Sequence, residues 1–306
     1  MRLASVLVPT PVVASPALGQ HVWLKLETFQ PTGSFKVRGA LAALSSLDPG
    51  ESVVTASTGN HALAVAHAAA ELGLRATVVC GEGTSPAKLA ALRRLPVNLV
   101  VHGANVDEAE AHALSLAADG GRRYVSAYND RAVIAGQGTV AVELLEQLNP
   151  PLTIVCPVGG GGLLAGIALW ASDVAGVRTI GVQAEAQQAM RAALHAGRIV
   201  PVVGRPTLAD GLAGNLEPGS VTLDFVARYV EEVLVVSEDE IATAMHFLAR
   251  EHGLVVEGAG ATAVAAVIAG RLDIAEGTLA LLVTGRNIEL DRLAHVLSSD
   301  SNRLAP

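Results

Sequence analysis

Gln30-Pro31-Thr32-Gly33-Ser34-Phe35-Lys36-Val37-Arg38-Gly39-Ala40 is the stretch on which the reading of this chain turns. Pro31 and Gly33 interrupt regular structure and Thr32 and Ser34 are capping residues, so a turn followed by a helix from near Ser34 is expected. Lys36 then sits in the first helical turn. The unpaired N–H groups of a helix start carry partial positive charge and disfavour a second cation. A neutral amine, or one engaged as an imine, escapes that penalty, which fits a Schiff-base lysine. Taken alone, the segment fits a solvated surface lysine equally well.

Outward from this stretch, residues 21–27 read as a strand leading in and 39–47 as a helix leading out. Short β-rich runs then alternate with Ala/Leu-rich runs, the pattern of an α/β architecture with mostly parallel strands. Strands are expected at 52–56, 75–80, 97–101 and 123–127, so that 46–132 forms a compact unit of its own. A long helix over 133–148 leads to strands at 153–157 and 179–184, a helix over 186–196, and a last strand at 278–284. Ser85-Pro86 marks a capped helix start, and Ser237-Glu238-Asp239-Glu240 a capping box before a helix to about 251. Residues 197–219 hold several Gly and Pro and read as a functional loop.

Composition agrees with this architecture and narrows the partners. The 306 residues are 51% hydrophobic but 3% aromatic and 16% charged, which suits Val, Leu and Ile sheets under Ala-rich helices. Such a length suits two lobes. A formal charge of −8 argues against nucleic acid, whose phosphates call for a basic face. Cys80 and Cys156 each end an apolar run and read as core thiols, without disulfide or metal spacing. With no secretory signal and no uninterrupted apolar span, a reduced cytoplasmic location without membrane contact is expected.

Two glycine-bearing turns carry chemistry. Gly159, Gly160, Gly161 and Gly162 follow a strand and precede a helix, the setting in which backbone N–H groups bind phosphate. Their spacing fits neither the dinucleotide fingerprint nor the P-loop. In Ser57-Thr58-Gly59-Asn60-His61, the hydroxyls suit capping of the next helix. They suit equally a loop that holds a carboxylate while Asn60 bonds a polar ring substituent, and the pentapeptide leaves both open.

Together, PTGSFKxRGA, STGNHA, AVIAGQGT at 132–139, GGGGLLAG, TLADG at 207–211 and a hydroxyl residue before Gly-x-Asn at 284–287 resemble one family. It is the threonine/serine dehydratase group of fold type II pyridoxal-phosphate enzymes, which includes serine racemase. The resemblance covers nearly the whole chain in the family's order. It implies a two-lobed fold like the tryptophan synthase β chain, each lobe a mostly parallel sheet flanked by helices. The large cofactor-binding domain would be 1–45 plus 133–306, and the small substrate-side domain 46–132.

By the same resemblance, pyridoxal 5'-phosphate is the cofactor and Lys36 its imine lysine, which also removes the Cα proton once displaced. Gly159 to Gly162 would cradle the phosphate, Asn60 would bond the 3'-oxygen, Thr284 would face the pyridine nitrogen and Phe35 would pack near the ring. Ser57, Thr58, Gly59 and His61 would frame the substrate carboxylate, and Thr58 stands where racemases carry a second acid/base. A neutral hydroxyl at Thr284 does not hold the ring nitrogen protonated, which favours elimination over transamination. The implied activity is deamination of L-threonine or L-serine to a 2-oxo acid and ammonia, in a homodimer. The chain ends soon after Thr284, which suggests a catabolic form without a regulatory domain. Dehydration of 3-hydroxyaspartate, racemisation, and a catalytically silent cofactor binder are the alternatives.

Some positions depart from the pattern. Glu185 and Ala189 match a divalent-cation site of some relatives, but Arg191 replaces its Asp, so no metal is expected and Glu185 is only a weak candidate. Arg286 replaces a frequent glycine and reads as a solvated loop residue, or as a partner for a second substrate carboxylate. Val37 argues against threonine and cysteine synthases, which usually carry Asp there.

Overall fold

The computed structural model describes residues 6–272 and 277–299. In chain order its first elements are β1 (Val12–Ala14), β2 (Val22–Leu26), α1 (Lys36–Leu44), β3 (Ser52–Ala56), α2 (Asn60–Glu71), β4 (Arg75–Cys80) and α3 (Pro86–Leu92). Then come β5 (Asn98–Val101), α4 (Val106–Gly120), β6 (Arg123–Tyr124), α5 (Arg131–Gln147), β7 (Leu152–Pro157), α6 (Gly162–Ala171) and β8 (Val177–Ala184). The chain continues through α7 (Ala189–Ala196), α8 (Thr222–Tyr229), β9 (Glu232–Val236), α9 (Glu238–His252), α10 (Gly258–Ile268), β10 (Thr278–Val283) and α11 (Leu290–Ser299).

Two compact units result, and the fold class is the expected α/β with two mostly parallel sheets. Of the described residues, the first joins 6–8 with Gln30–Gln137, and the second Pro9–Phe29 with those from Gly138 on. The first unit holds four parallel strands in the order β5-β4-β3-β6. On one face, Val37, Leu41 and Leu44 of α1 and Val65 of α2 pack with Val53. On the other, Ala109 and Ala113 of α4 cover Val54 and Val79. The stretch 30–45 therefore groups with the four-stranded sheet, whereas the sequence reading set it with the larger lobe. Two glycines let helices touch here: a Cβ on Gly136 of α5 would meet the Arg38 carbonyl at 2.6 Å and the Gly39 Cα at 2.8 Å.

The second unit has six strands in the order β1-β2-β10-β7-β8-β9, parallel apart from β1. Runs such as LTIVCP and TLALLV are apolar on both faces, as a sheet covered on both sides requires. Leu24, Val155, Val182 and Leu281 meet Ile241 of α9 and Val264 of α10 in its core. The Ser237 capping box is reciprocal: Ser237 Oγ accepts the Glu240 N–H at 3.2 Å, and Glu240 Oε2 the Ser237 N–H at 2.7 Å. Two expected element ends shift by about three residues. The strand placed at 123–127 stops at Tyr124, and the helix placed at 186–196 starts at Ala189. The sequence reading had no β1, α8, β9 or α11. Cys80 and Cys156 are buried and unbridged, and burial pushes the Cys156 thiol up. No helix among the described residues is long and apolar enough to cross a membrane.

One buried cation ties β2 to α5. Lys25 is fully buried, and its Nζ donates to Glu143 Oε2 at 2.6 Å, Gln147 Oε1 at 2.8 Å and the Thr10 carbonyl at 2.9 Å. Thr10 Oγ1 in turn donates to the buried Glu27 at 2.7 Å. Removing one member of such a pair strands the other charge in a poorly solvated site. Lys25→Met is expected to destabilise the fold by about 3–5 kcal/mol in urea titrations, and adding Glu143→Leu to recover most of the loss. A single variant as stable as the parent would show that the pair contributes nothing.

Candidate active site

Lys36 opens α1 as its first residue, with Phe35 as N-cap and no side-chain cap. Ser34, expected to cap, does not: its hydroxyl is buried without a partner. The half-buried Lys36 Nζ donates to the Ala127 carbonyl at 2.8 Å and lies 5.3 Å from the centre of the Phe35 ring. An ammonium over an aromatic face gains from the ring quadrupole, which offsets part of its burial.

Ser57, Thr58 and Gly59 form the turn between β3 and α2, and Asn60 and His61 begin that helix. The helix has no side-chain cap; Ser57 Oγ accepts the Gly59 N–H at 3.2 Å instead, and among the described residues the Thr58 hydroxyl has no hydrogen-bond partner. A helix start without a side-chain cap on its N-cap residue is a place where a ligand can meet main-chain N–H groups. His61 is buried, and its Nε2–H donates to the Val125 carbonyl at 3.0 Å, so Nδ1 keeps its lone pair with no partner. Burial first, and the Lys36 ammonium second, lower the His61 pKa to about 3. A neutral imidazole with that tautomer cannot donate a proton from Nδ1 to a carboxylate.

The loop from Val125 to Asp130, between β6 and α5, was not anticipated from the sequence. It acts through main-chain carbonyls, which leave no side-chain signature. β3 lies between β4 and β6, so the strand order reverses beside it, and the loops at the carboxyl ends of β3 and β6 face a common crevice. Ser57–His61 and Val125–Asp130 are those two loops.

The second unit repeats this logic. From β7 the chain goes outward to β8 and β9, then returns through β10 on the opposite side of β7. Leu281 pairs with Val155, so Thr284 and Gly159 lie at the carboxyl ends of neighbouring strands. Gly161 has φ of +89° and is the N-cap of α6. A Cβ there would come within 2.5 Å of Met190 Cε, and one on Gly159 within 2.9 Å of the Leu212 backbone. Among the described residues, the N–H groups of Gly159, Gly160 and Gly161 meet no protein acceptor. Thr222, also absent from the sequence reading, pins the turn by donating to the Gly160 carbonyl at 2.7 Å. Thr284 is buried, and among the described residues its hydroxyl has no hydrogen-bond partner. A run of unused N–H donors beside an unpaired hydroxyl suits a phosphorylated heteroaromatic ring.

Two further predicted positions are exposed. Glu185 is exposed and pairs with Arg205 at 3.2 Å, and no group of three potential metal ligands occurs among the described residues. Arg286 is exposed on the loop after β10.

A model of the family described as pyridoxal-phosphate dependent enzyme matches residues 4–285. An L-threonine ammonia-lyase of Thermotoga maritima is 40% identical over 290 residues, which are 94% of this chain and 72% of the relative. The catabolic L-threonine dehydratase of Escherichia coli is 39% identical over 282 residues, 90% of this chain and 85% of the relative. Among solved structures, maize serine racemase superposes with a TM-score of 0.89 at 29% identity, covering 99% of this chain and 95% of that one.

The state of His61 has a consequence for stability. The unfolded chain protonates this residue near its ordinary value, about 6.5, whereas the folded chain resists protonation down to about 3. Stability is therefore complete above about pH 6.5 and falls below it by up to ~1.4 kcal/mol per pH unit. Urea midpoints followed from neutral pH into this window are expected to drop more steeply for the parent chain than for His61→Gln. Equal slopes would mean that His61 is not buried neutral.

Proposed function

This chain belongs to the family of pyridoxal-phosphate dependent enzymes, and on that premise we propose that it deaminates L-threonine and L-serine to the 2-oxo acid and ammonia. The observation that carries the reading is the pairing of unused N–H donors at Gly159–Gly161 with the uncommitted hydroxyl of the buried residue Thr284, among the described residues. When bound, the cofactor supplies a conjugated system that takes up negative charge from the Cα of an amino acid. The chain's residues provide the rest.

We assign Lys36 as the covalent anchor and, once released, as the base that takes the Cα proton. Gly159, Gly160, Gly161 and Gly162 hold the phosphate through their N–H groups. Asn60 bonds the 3'-oxygen, Phe35 packs beside the ring, and Thr284 meets the ring nitrogen with a hydroxyl that does not fix a proton there. Ser57, Thr58, Gly59 and His61 frame the substrate carboxylate, and the share of His61 falls to its main-chain N–H, since its ring is committed to Val125. In this reading the six-stranded unit is the cofactor domain and the four-stranded unit the substrate side. The reading extends to a homodimer in the cytoplasm, tested by molar mass in solution and by fractionation of cells.

A second activity is favoured by one observation. Thr58 is half-buried with an uncommitted hydroxyl, which suits a second acid/base and hence slow racemisation of the same amino acids. An exposed Arg286 does not favour a substrate with a second carboxylate.

Threonine is expected to release ammonia and 2-oxobutanoate in stoichiometric amounts, and Lys36→Ala to lower the rate by ~10²-fold or more. Borohydride-treated protein should carry the pyridoxyl label on the peptide that contains Lys36. Ammonia release that survives the substitution, or a label on Lys25 or Lys88, would refute the assignment.

A further inference from the structure

We infer that Thr55 is a positioning residue for Lys36, acting through the carbonyls of the Val125–Asp130 loop. The inference rests on the reading of Lys36 as the reactive amine and deepens it. Thr55 lies on β3 in the run Ser-Val-Val-Thr-Ala and is fully buried. A hydroxyl in a buried, otherwise apolar stretch is unfavourable unless bonded, and valine would fill the same volume without that demand. Thr55 Oγ1 donates to the Val125 carbonyl at 2.8 Å. The same carbonyl accepts Nε2–H of His61 at 3.0 Å, and the Val125 N–H donates to Val54 at 2.9 Å. Both lone pairs of that oxygen are thus committed, and the peptide cannot rotate without breaking two buried bonds.

From this fixed point the loop is determined stepwise. Ser126 Oγ accepts the Asn129 N–H at 3.1 Å and closes a turn around Ala127. Asp130 ends the turn: Oδ1 accepts the Ala132 N–H at 2.7 Å, and Oδ2 pairs with Arg123 at 2.9 Å. The Ala127 carbonyl, between these anchors, accepts the Lys36 ammonium at 2.8 Å. Loss of the Thr55 hydroxyl leaves Val125 with one side-chain donor and lets the Ala127 carbonyl drift from the amine. An ammonium that loses this one of its partners is less firmly held, and its nitrogen is more accessible to an electrophile.

The chain has only three lysines, Lys25, Lys36 and Lys88, which makes the test direct. Full-length protein freed of cofactor is treated briefly with an amine-reactive acylating reagent, and the lysine peptides are quantified by mass spectrometry. Lys88 is the internal standard, and the fully buried Lys25 reports general loosening. Thr55→Val is expected to raise Lys36 labelling relative to Lys88 by about threefold or more, the scale of one net hydrogen bond, with Lys25 unchanged. Thr55→Ser, which restores the hydroxyl, is expected to return it to the parental value. In the holoenzyme the same pair should show a lower kcat at similar KM for Thr55→Val, with recovery in Thr55→Ser. Should Thr55→Val fail to fold, Thr55→Ala removes the hydroxyl without a new methyl against the carbonyl. Unchanged Lys36 labelling in the variant lacking the hydroxyl, a rise shared by Lys25, or no recovery with serine would each overturn the inference. A pyridoxyl label found away from Lys36 would instead defeat the functional reading, while the labelling ratios would still report on Thr55.

Discussion

The first N–H groups of a helix need acceptors, and where the chain supplies none a ligand can. Ser85, Asn105 and Ser237 close the helix starts of α3, α4 and α9 with their side chains. At α2 and α6 the chain stops short of doing so, although Ser57 and Thr58 stand beside the first of them. Both helices follow directly from central parallel strands, where a switch in strand order opens a crevice. Uncapped starts in such places concentrate positive potential at a point that also excludes much water. The formal charge of −8 is no obstacle, because these donors act over a few ångströms and the surface charges are screened.

The amine at the head of α1 depends on an equally local arrangement. It faces a carbonyl whose direction is set by hydroxyl, imidazole and carboxylate groups that never touch it. His61 shows how one side chain serves two ends. Its Nε2–H fixes the loop, and its main-chain N–H opens α2. The loss of basicity that burial imposes keeps it from competing with Lys36 for the role of cation.

The parallel strands were legible because their apolar runs and bounding turns are local signals; the capping box at Ser237 and the proline start at Pro86 were legible for the same reason. Lys36 and the glycine turn stood out as residue types in unusual company. What escaped the sequence was held together by distant or main-chain contacts. Ala127 offers only a carbonyl. Thr55 looks like any β-branched strand residue, and Thr222 like any helix-start hydroxyl. Ser34 misled in the opposite sense: its type promised a cap, but the first turn of α1 places its hydroxyl in the interior. The placement of residues 30–45 turned on tertiary packing of α1, which no local pattern encodes.

The bare backbone contact of α1 with α5 bears on how this sequence can drift. At Gly39 and Gly136 the smallest possible mutation adds a carbon where only 2.3 Å and 2.6 Å separate it from the opposing helix. A carbon on Gly136 would run into main chain, which closes that codon to single steps, whereas a carbon on Gly39 would meet the Gln137 and Val133 side chains, so change there needs a second change on α5. Variation is free to accumulate on the exposed faces of α4 and α11 instead, so lineages of this chain would diverge in surface and charge while the spacing behind the lysine stays fixed.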